Sequence, residues 1–212
     1  MVITGNGRGF CAGQDLAEVT TRGDDGQLPD FGAVVDRYNS IVLKITGMAK
    51  PVVAAVNGVA AGAGANIPLA CDFVVALESA PFVQSFVQIG LIPDSGGTFT
   101  LPRIVGNAKA KELMMLGEKL SAMEAQRLGL IYRAVVEADF LPTVTTLANK
   151  LASLPTRSIG LIKQALNRSA ASTLEAQLEL ERALQIEAAA TADYHEGVEA
   201  FLTKRSPHYT GR

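Results

Sequence analysis

The chain is poor in the side chains that build many polar reaction centres. Only two cysteines, Cys11 and Cys71, and two histidines, His195 and His208, occur in its 212 residues. The cysteines show no metal-type spacing, and two thiols suit a reducing cytosol better than a disulfide framework. Both histidines lie near the C-terminus, which argues against a Ser-His-Asp hydrolase or a histidine-held metal centre. No apolar run approaches the roughly 18 residues of a membrane span. No basic start leads into an apolar secretory segment, so a cytoplasmic protein is expected. The net charge is −2 with Lys and Arg scattered, so nucleic acid is not an expected partner. What the chain does have is apolar mass: 48% hydrophobic against 19% charged residues, enough for one sizeable core.

The stretch from Pro51 to Asp72, PVVAAVNGVAAGAGANIPLACD, organises the rest. Its start, Pro51 to Val56, suits a buried strand, Asn57-Gly58 suits a turn, and Ala60 to Ala65 is a run of very small residues. Such a run lets a backbone come close to a partner and aim its N–H groups there. A helix beginning inside it would leave its first N–H groups without partners, at the positive end of the helix dipole. That is a site for an anion or a developing oxyanion. The same residues serve equally well as a tight crossover in which small side chains only permit packing. Pro68 cannot donate to the Gly64 carbonyl, so a helix here is expected to start late or to bend.

Around this stretch the pattern reads as strands alternating with helices, then helices alone, an α/β protein with a helical tail. Strands are expected at Val2 to Thr4, Val52 to Val56, Cys71 to Leu77 and Ile131 to Val136, with a short strand or turn at Phe82 to Phe86. Apolar residues at helical spacing from Phe31 to Met48 give an amphipathic helix ended by Gly47 and Pro51. Asp15 is placed to cap a short helix at Leu16 to Val19. Glycine-rich loops run from Gly5 to Gly13 and from Gly90 to Gly97, and a polar surface loop from Thr20 to Asp30. Pro102 is expected to break the segment before a helix at Ala108 to Leu116. Ser121 and Glu124 form a capping box for a helix at Ala122 to Leu128. Further helices are expected at Phe140 to Leu154, Arg157 to Asn167, Leu174 to Ala190 and Tyr194 to Lys204, the last capped by Asp193 with Glu196.

Three blocks in order, VITGNGRGFCAGQDL, KPVVAAVNGVAAGAGANIPLACD and GLIPDSGG, resemble the signature blocks of the enoyl-CoA hydratase/isomerase (crotonase) superfamily, and the ending EGVEAFLTKR resembles its C-terminus. The resemblance implies a ββα spiral core over residues 1–137 carrying a CoA-thioester site. It implies a helical trimerisation region over 138–212, in a homotrimer or dimer of trimers. It also implies that coenzyme A enters as part of the substrate, with no other cofactor and no metal. Members normally carry further strands and a helix before the point where this chain opens. A shortened gene model or a truncated variant is therefore expected.

Carried over residue by residue, the two amides that hold the thioester oxygen fall on Gln14 and Ala63. Relatives often have glycine at the latter position, and alanine serves provided its φ is negative. Arg8, Phe10 and Ala12 match the segment lining the CoA moiety, Gly62 lies beside the second donor, and Lys204 matches a basic tail residue that meets the nucleotide. The family's hydratases carry glutamates where this chain has Asn66 and Phe86, and hydration needs such a pair. Asp94 falls where isomerases of the family carry a single acid/base, and one carboxylate suffices for a proton shift. Phe86 and Ile92 are expected to desolvate it and raise its proton affinity. The resemblance is strongest to an isomerase subgroup of phenylacetate degradation.

Plainer readings stand beside these. Asp94 also suits a turn or N-cap before Ser95-Gly96-Gly97, and Asn66 a helix cap or a substrate contact. Phe10 and Phe86 suit the core as well as a pocket wall, Asp15 reads as structural, and Cys11 as a small packed residue. Another crotonase-type reaction such as hydration, or a non-catalytic acyl-CoA-binding subunit, are the competing functions.

Overall fold

The computed structural model describes residues 1–212, and they divide into two compact units. The first comprises residues 2–46 and 53–144; the second comprises residue 1, 47–52 and 145–212. The division falls at 144/145, inside a helix.

The first unit contains two four-stranded sheets. One is ordered β1 (Val2–Thr4), β3 (Val53–Val56), β5 (Phe73–Leu77) and β8 (Arg133–Val135), all parallel. The other is ordered β2 (Gly9–Cys11), β4 (Val59–Ala61), β6 (Phe82–Val83) and β7 (Lys119–Leu120); its first three strands are parallel and the last antiparallel. The chain steps from the first sheet to the second within a few residues after β1, β3 and β5, so successive turns of a spiral stack on one another. Strand β3 is buried along its whole length, as a central parallel strand must be, and its sequence is accordingly wholly apolar.

Asn57 ties the first two turns together. Its Oδ1 accepts the Gly5 N–H at 3.0 Å and its Nδ2 donates to the Gly7 carbonyl at 2.9 Å. Beside it, a Cβ on Gly58 would lie 2.1 Å from the Arg8 carbonyl, so only glycine lets the strands approach this closely. The core behind the sheets gathers Val56, Val74, Phe82, Leu101, Leu113 and Ile131, with Phe10 packed against it.

Sequence and structure part at the shortest elements. The loop expected from Gly5 to Gly13 contains β2, and the small-residue run contains β4 followed by helix α3 (Ala63–Ala70). Helix α3 does not start late: Pro68 sits inside it, and the Cys71 N–H closes its end on the Pro68 carbonyl at 3.0 Å. Pro102 does not break its segment either. Helix α4 (Gly97–Leu116) runs past it and is interrupted at Gly106, where φ is 76° and ψ 160°. Helices α1 (Leu16–Thr20), α2 (Phe31–Gly47) and α5 (Ala122–Arg127) lie where the periodicity put them. The capping box of α5 is half made: Ser121 Oγ accepts the Glu124 N–H, while the Glu124 carboxylate turns to Arg127.

Helix α6 (Glu137–Ala152) crosses the division between the units. The second unit holds its latter part with α7 (Thr156–Ser169), α8 (Leu174–Ala189) and α9 (Ala192–Leu202). The cap of α9 is Thr191, whose hydroxyl accepts the Tyr194 N–H, and not Asp193. Asp193, 2% exposed, instead accepts the Thr210 and Gly211 N–H groups at 2.7 and 2.8 Å and holds the C-terminal residues down. Glu196 takes Arg205 and the His208 N–H. No helix is long and apolar enough to cross a membrane.

Candidate active site

A cavity of about 270 Å³ opens in the first unit, where the spiral's loops meet α2. Ala12, Gly13 and Gln14, beyond β2, form one edge, and Gly62 with Ala63 the next. Ser85, Phe86, Gln88 and Ile89 reach it from the 3-10 turn Ser85–Ile89, and Leu91 and Asp94 from the loop that follows. Leu16 of α1 and Phe31, Val34, Val35 and Tyr38 of α2 close the other side. The walls are therefore largely apolar, with a few polar groups converging.

The first two edges meet backbone to backbone. Gly13 has φ 86°, and a Cβ there would lie 3.2 Å from the Ala61 carbonyl and 3.4 Å from the Ala63 nitrogen. One residue on from Ala63, a Cβ on Gly64 would lie 2.1 Å from the Cys11 carbonyl. Gly62, at φ 56° and ψ −129°, turns the chain into α3 without supplying a side-chain cap. Ala63 is the first residue of that helix, so its N–H has no helical acceptor and stands at the positive end of the dipole. Its backbone is not left-handed; only Ser95 and Lys204 are, among residues other than glycine. Alanine is thus accommodated at position 63 without strain. The Gln14 N–H likewise meets no backbone acceptor.

Asp94 is half-buried and faces the same cavity. Its carboxylate does not cap α4, which has Gly96 at its N-cap position and no side-chain cap. Its carbonyl makes the turn instead, accepting the Gly97 N–H at 2.8 Å, while its Oδ1 accepts the Ser95 hydroxyl at 2.8 Å. Of the two residues expected to desolvate it, Phe86 is buried and lines the cavity, but Ile92 is 80% exposed and contributes no such cover.

The remaining candidates separate. Ala12, Gly62 and Phe86 line the cavity with Gln14, Ala63 and Asp94. Asn66 does not: it is 1% exposed, and its Nδ2 donates to the Asp94 carbonyl at 2.9 Å, so neither a helix cap nor a substrate contact describes it. Phe10 packs into the core, and Arg8 is exposed away from the cavity lining. Lys204 belongs to the second unit, exposed just beyond α9. No group of three or more His, Cys, Asp or Glu side chains gathers as a metal site would require.

Tyr38 is the polar member of a cavity wall, with Phe31, Val34 and Val35, that in sequence reads only as the packing face of a helix. Its hydroxyl donates to Gln14 Oε1 at 3.2 Å, and Gln14 Nε2 in turn donates to Glu18 at 2.8 Å. Burial pushes the Tyr38 phenol above its ordinary value, with further pushes from Cys11, Asp94 and Glu18. It is therefore held as a neutral donor. The available signal was a lone hydroxyl in an otherwise hydrocarbon stripe.

The sequence profile described as "Enoyl-CoA hydratase/isomerase" matches residues 1–212. The chain is 50% identical over 213 residues to the 1,2-epoxyphenylacetyl-CoA isomerase of Escherichia coli, covering all of this chain and 81% of that protein. It is 46% identical to a probable enoyl-CoA hydratase of Rhodobacter capsulatus, again over the whole chain and 81% of the relative. Among solved structures, an enoyl-CoA hydratase from Polaromonas sp. JS666 superposes with a TM-score of 0.91 at 38% identity, over 99% of this chain and 81% of that one.

Proposed function

The chain belongs to the enoyl-CoA hydratase/isomerase family, and on that premise we propose that it is an acyl-CoA isomerase with Asp94 as its single acid/base. The observation that carries this reading is one carboxylate facing a cavity whose edge also holds Gln14 and Ala63, whose N–H groups have no backbone acceptor. The positions where the family's hydratases carry glutamates hold a buried amide, Asn66, and a phenylalanine.

The thioester oxygen lies between the two amides. Asp94 removes a proton from the acyl chain, and the C–H electron pair moves into an enolate whose oxygen the N–H groups stabilise. The same carboxyl group then returns the proton at another carbon, so the product is an isomer and nothing else is consumed. Losing one such amide donor costs roughly 3 kcal/mol of barrier in comparable sites. The cavity volume suits an acyl group, with the nucleotide outside it. We assign an enoyl- or epoxy-acyl thioester as substrate, with 1,2-epoxyphenylacetyl-CoA first, on the likeness to the Escherichia coli isomerase. Coenzyme A enters as part of the substrate, no other cofactor takes part, and the assembly is a homotrimer or dimer of trimers.

Asp94→Asn tests the assignment. It is expected to lower isomerisation of a 3-enoyl-CoA or epoxy-CoA by about 1,000-fold, the scale of losing a general base, while acyl-CoA affinity measured by calorimetry stays the same. Undiminished turnover in that variant would sink the role of Asp94. Hydration of crotonyl-CoA by the native chain at an ordinary enzymatic rate would replace isomerisation with the hydratase reading. Binding without any turnover would favour a non-catalytic acyl-CoA subunit.

A further inference from the structure

Two buried amide side chains lie in series behind Asp94. Gln84, 7% exposed, donates from Nε2 to Asn66 Oδ1 at 2.7 Å, and Asn66 donates from Nδ2 to the Asp94 carbonyl at 2.9 Å. We infer that Gln84 and Asn66 are positioning residues, which fix the Asp94 turn so that its carboxylate is held at the cavity. The inference rests on Asp94 being the acid/base.

The order of donors and acceptors is forced. Turning the Asn66 amide over would set its oxygen against the Asp94 carbonyl and its NH2 against that of Gln84. Gln84 therefore selects the one orientation in which Asn66 can donate. Both side chains are out of water, where such bonds are stronger and an unmade one is costly. The space is also fitted to the amide: a Cβ on Gly97 would lie 2.4 Å from Asn66 Nδ2.

The turn needs this support. Ser95, next to Asp94, is left-handed at φ 52° and 2% exposed. A residue with a Cβ holds that conformation only where its surroundings over-determine it. The Gly97 N–H closes the turn locally, and Asn66 is the long-range group that anchors it to α3. Gln84 Oε1 has no hydrogen-bond partner, an unfavourable burial that the orienting bond from Nε2 offsets. Neither amide lines the cavity, so both act through Asp94 and not on the substrate.

Two variants of the full chain test this, with circular dichroism to verify folding. Gln84→Met conserves volume and removes the orphaned acceptor, so the fold is kept. It is expected to lower kcat by about tenfold or more, because small displacements of an acid/base cost up to about 100-fold, with KM within about twofold. In Asn66→Asp, either form of the carboxyl can accept from Gln84, but only the protonated form can donate to the Asp94 carbonyl. Burial raises such a carboxyl, so the ratio of variant to native kcat is expected to climb as pH falls from about 9 to about 6. A packing role alone would leave that ratio flat. Native kcat in both variants, a flat ratio, or an effect on KM alone would overturn the inference while leaving Asp94 in place. A native chain without turnover would overturn both.

Discussion

Tyr38 and Asp94 face the same cavity, yet only one of them was evident from sequence. Asp94 stands out as a lone acid between apolar and glycine-rich flanks. Tyr38 sits in a stripe of helical spacing where a phenol and a packing side chain leave the same pattern. Its raised pKa gives a direct test. A group whose folded value is raised contributes stability that is full below its ordinary value of 10.0 and is lost as pH rises through the folded value. In a tyrosinate absorbance titration, the difference between the native chain and Tyr38→Phe should show one phenol ionising above pH 10.0, in the direction given by burial and the nearby acids. A difference curve centred at or below that value would mean the hydroxyl is in water. Asn66 shows the opposite limit. The sequence could say that no carboxylate stands there, but only the fold shows an amide turned away from the cavity to hold another residue's backbone.

Among the elements, those with a strong period were legible and those made by pairing were not. Helix α2, buried β3 and the cap of α1 at Asp15 follow from spacing and a single polar side chain. Strands β2, β4 and β7 are two or three residues long, β2 begins with glycine and β4 is flanked by it, so no alternation could announce them; tertiary pairing makes them strands. Helix α4 reversed an expectation, since Pro102 is carried within it and Gly106 interrupts it. The conformation at Gly106 belongs to a region open almost only to glycine. Gly106→Ala is expected to destabilise the protein by about 2 kcal/mol, read as a lower urea midpoint with unchanged slope. An unchanged midpoint would mean that the kink relaxes freely. The cap of α9 was misassigned for a related reason: Thr191 and Asp193 are both good cap residues two positions apart, and the demand of the C-terminal amides for Asp193 decided between them.

For the whole molecule, the α/β class and the helical tail could be read from the order of patterns, whereas the grouping of residues 47–52 with the C-terminal unit could not. Residues 47–52 join the C-terminal unit because of contacts remote in sequence. There a Cβ on Gly160 would lie 2.7 Å from the Ala49 carbonyl. The end of the chain is fastened within that unit by Asp193 and by Glu196. The Arg205 guanidinium, then the His208 N–H, hold the Glu196 carboxyl down to about 2 from an ordinary 4.5. A depressed carboxyl gives support that is present above 4.5 and is lost as pH falls through about 2. A carboxyl-carbon NMR titration should place Glu196 near 2 in the native chain, and Arg205→Ala should return it toward 4.5. An unmoved midpoint in that variant would rule out the guanidinium as the cause.

The parallel pairing of β2 with β4 acts as a ruler for the site. Gln14 and Ala63 follow the ends of these adjacent strands, in successive turns of the spiral. Neighbouring strands lie about 4.8 Å apart. Two N–H donors each about 2.9 Å from one oxygen, approaching some 110° apart, are separated by about that same distance. The pairing, with its register shift between Gly9 and Cys11, brings the two strand ends together through the main chain and uses no cavity side chain. On the proposed reading, acyl specificity can therefore be remodelled along α2 and the Ser85–Ile89 turn while the two amides keep their spacing.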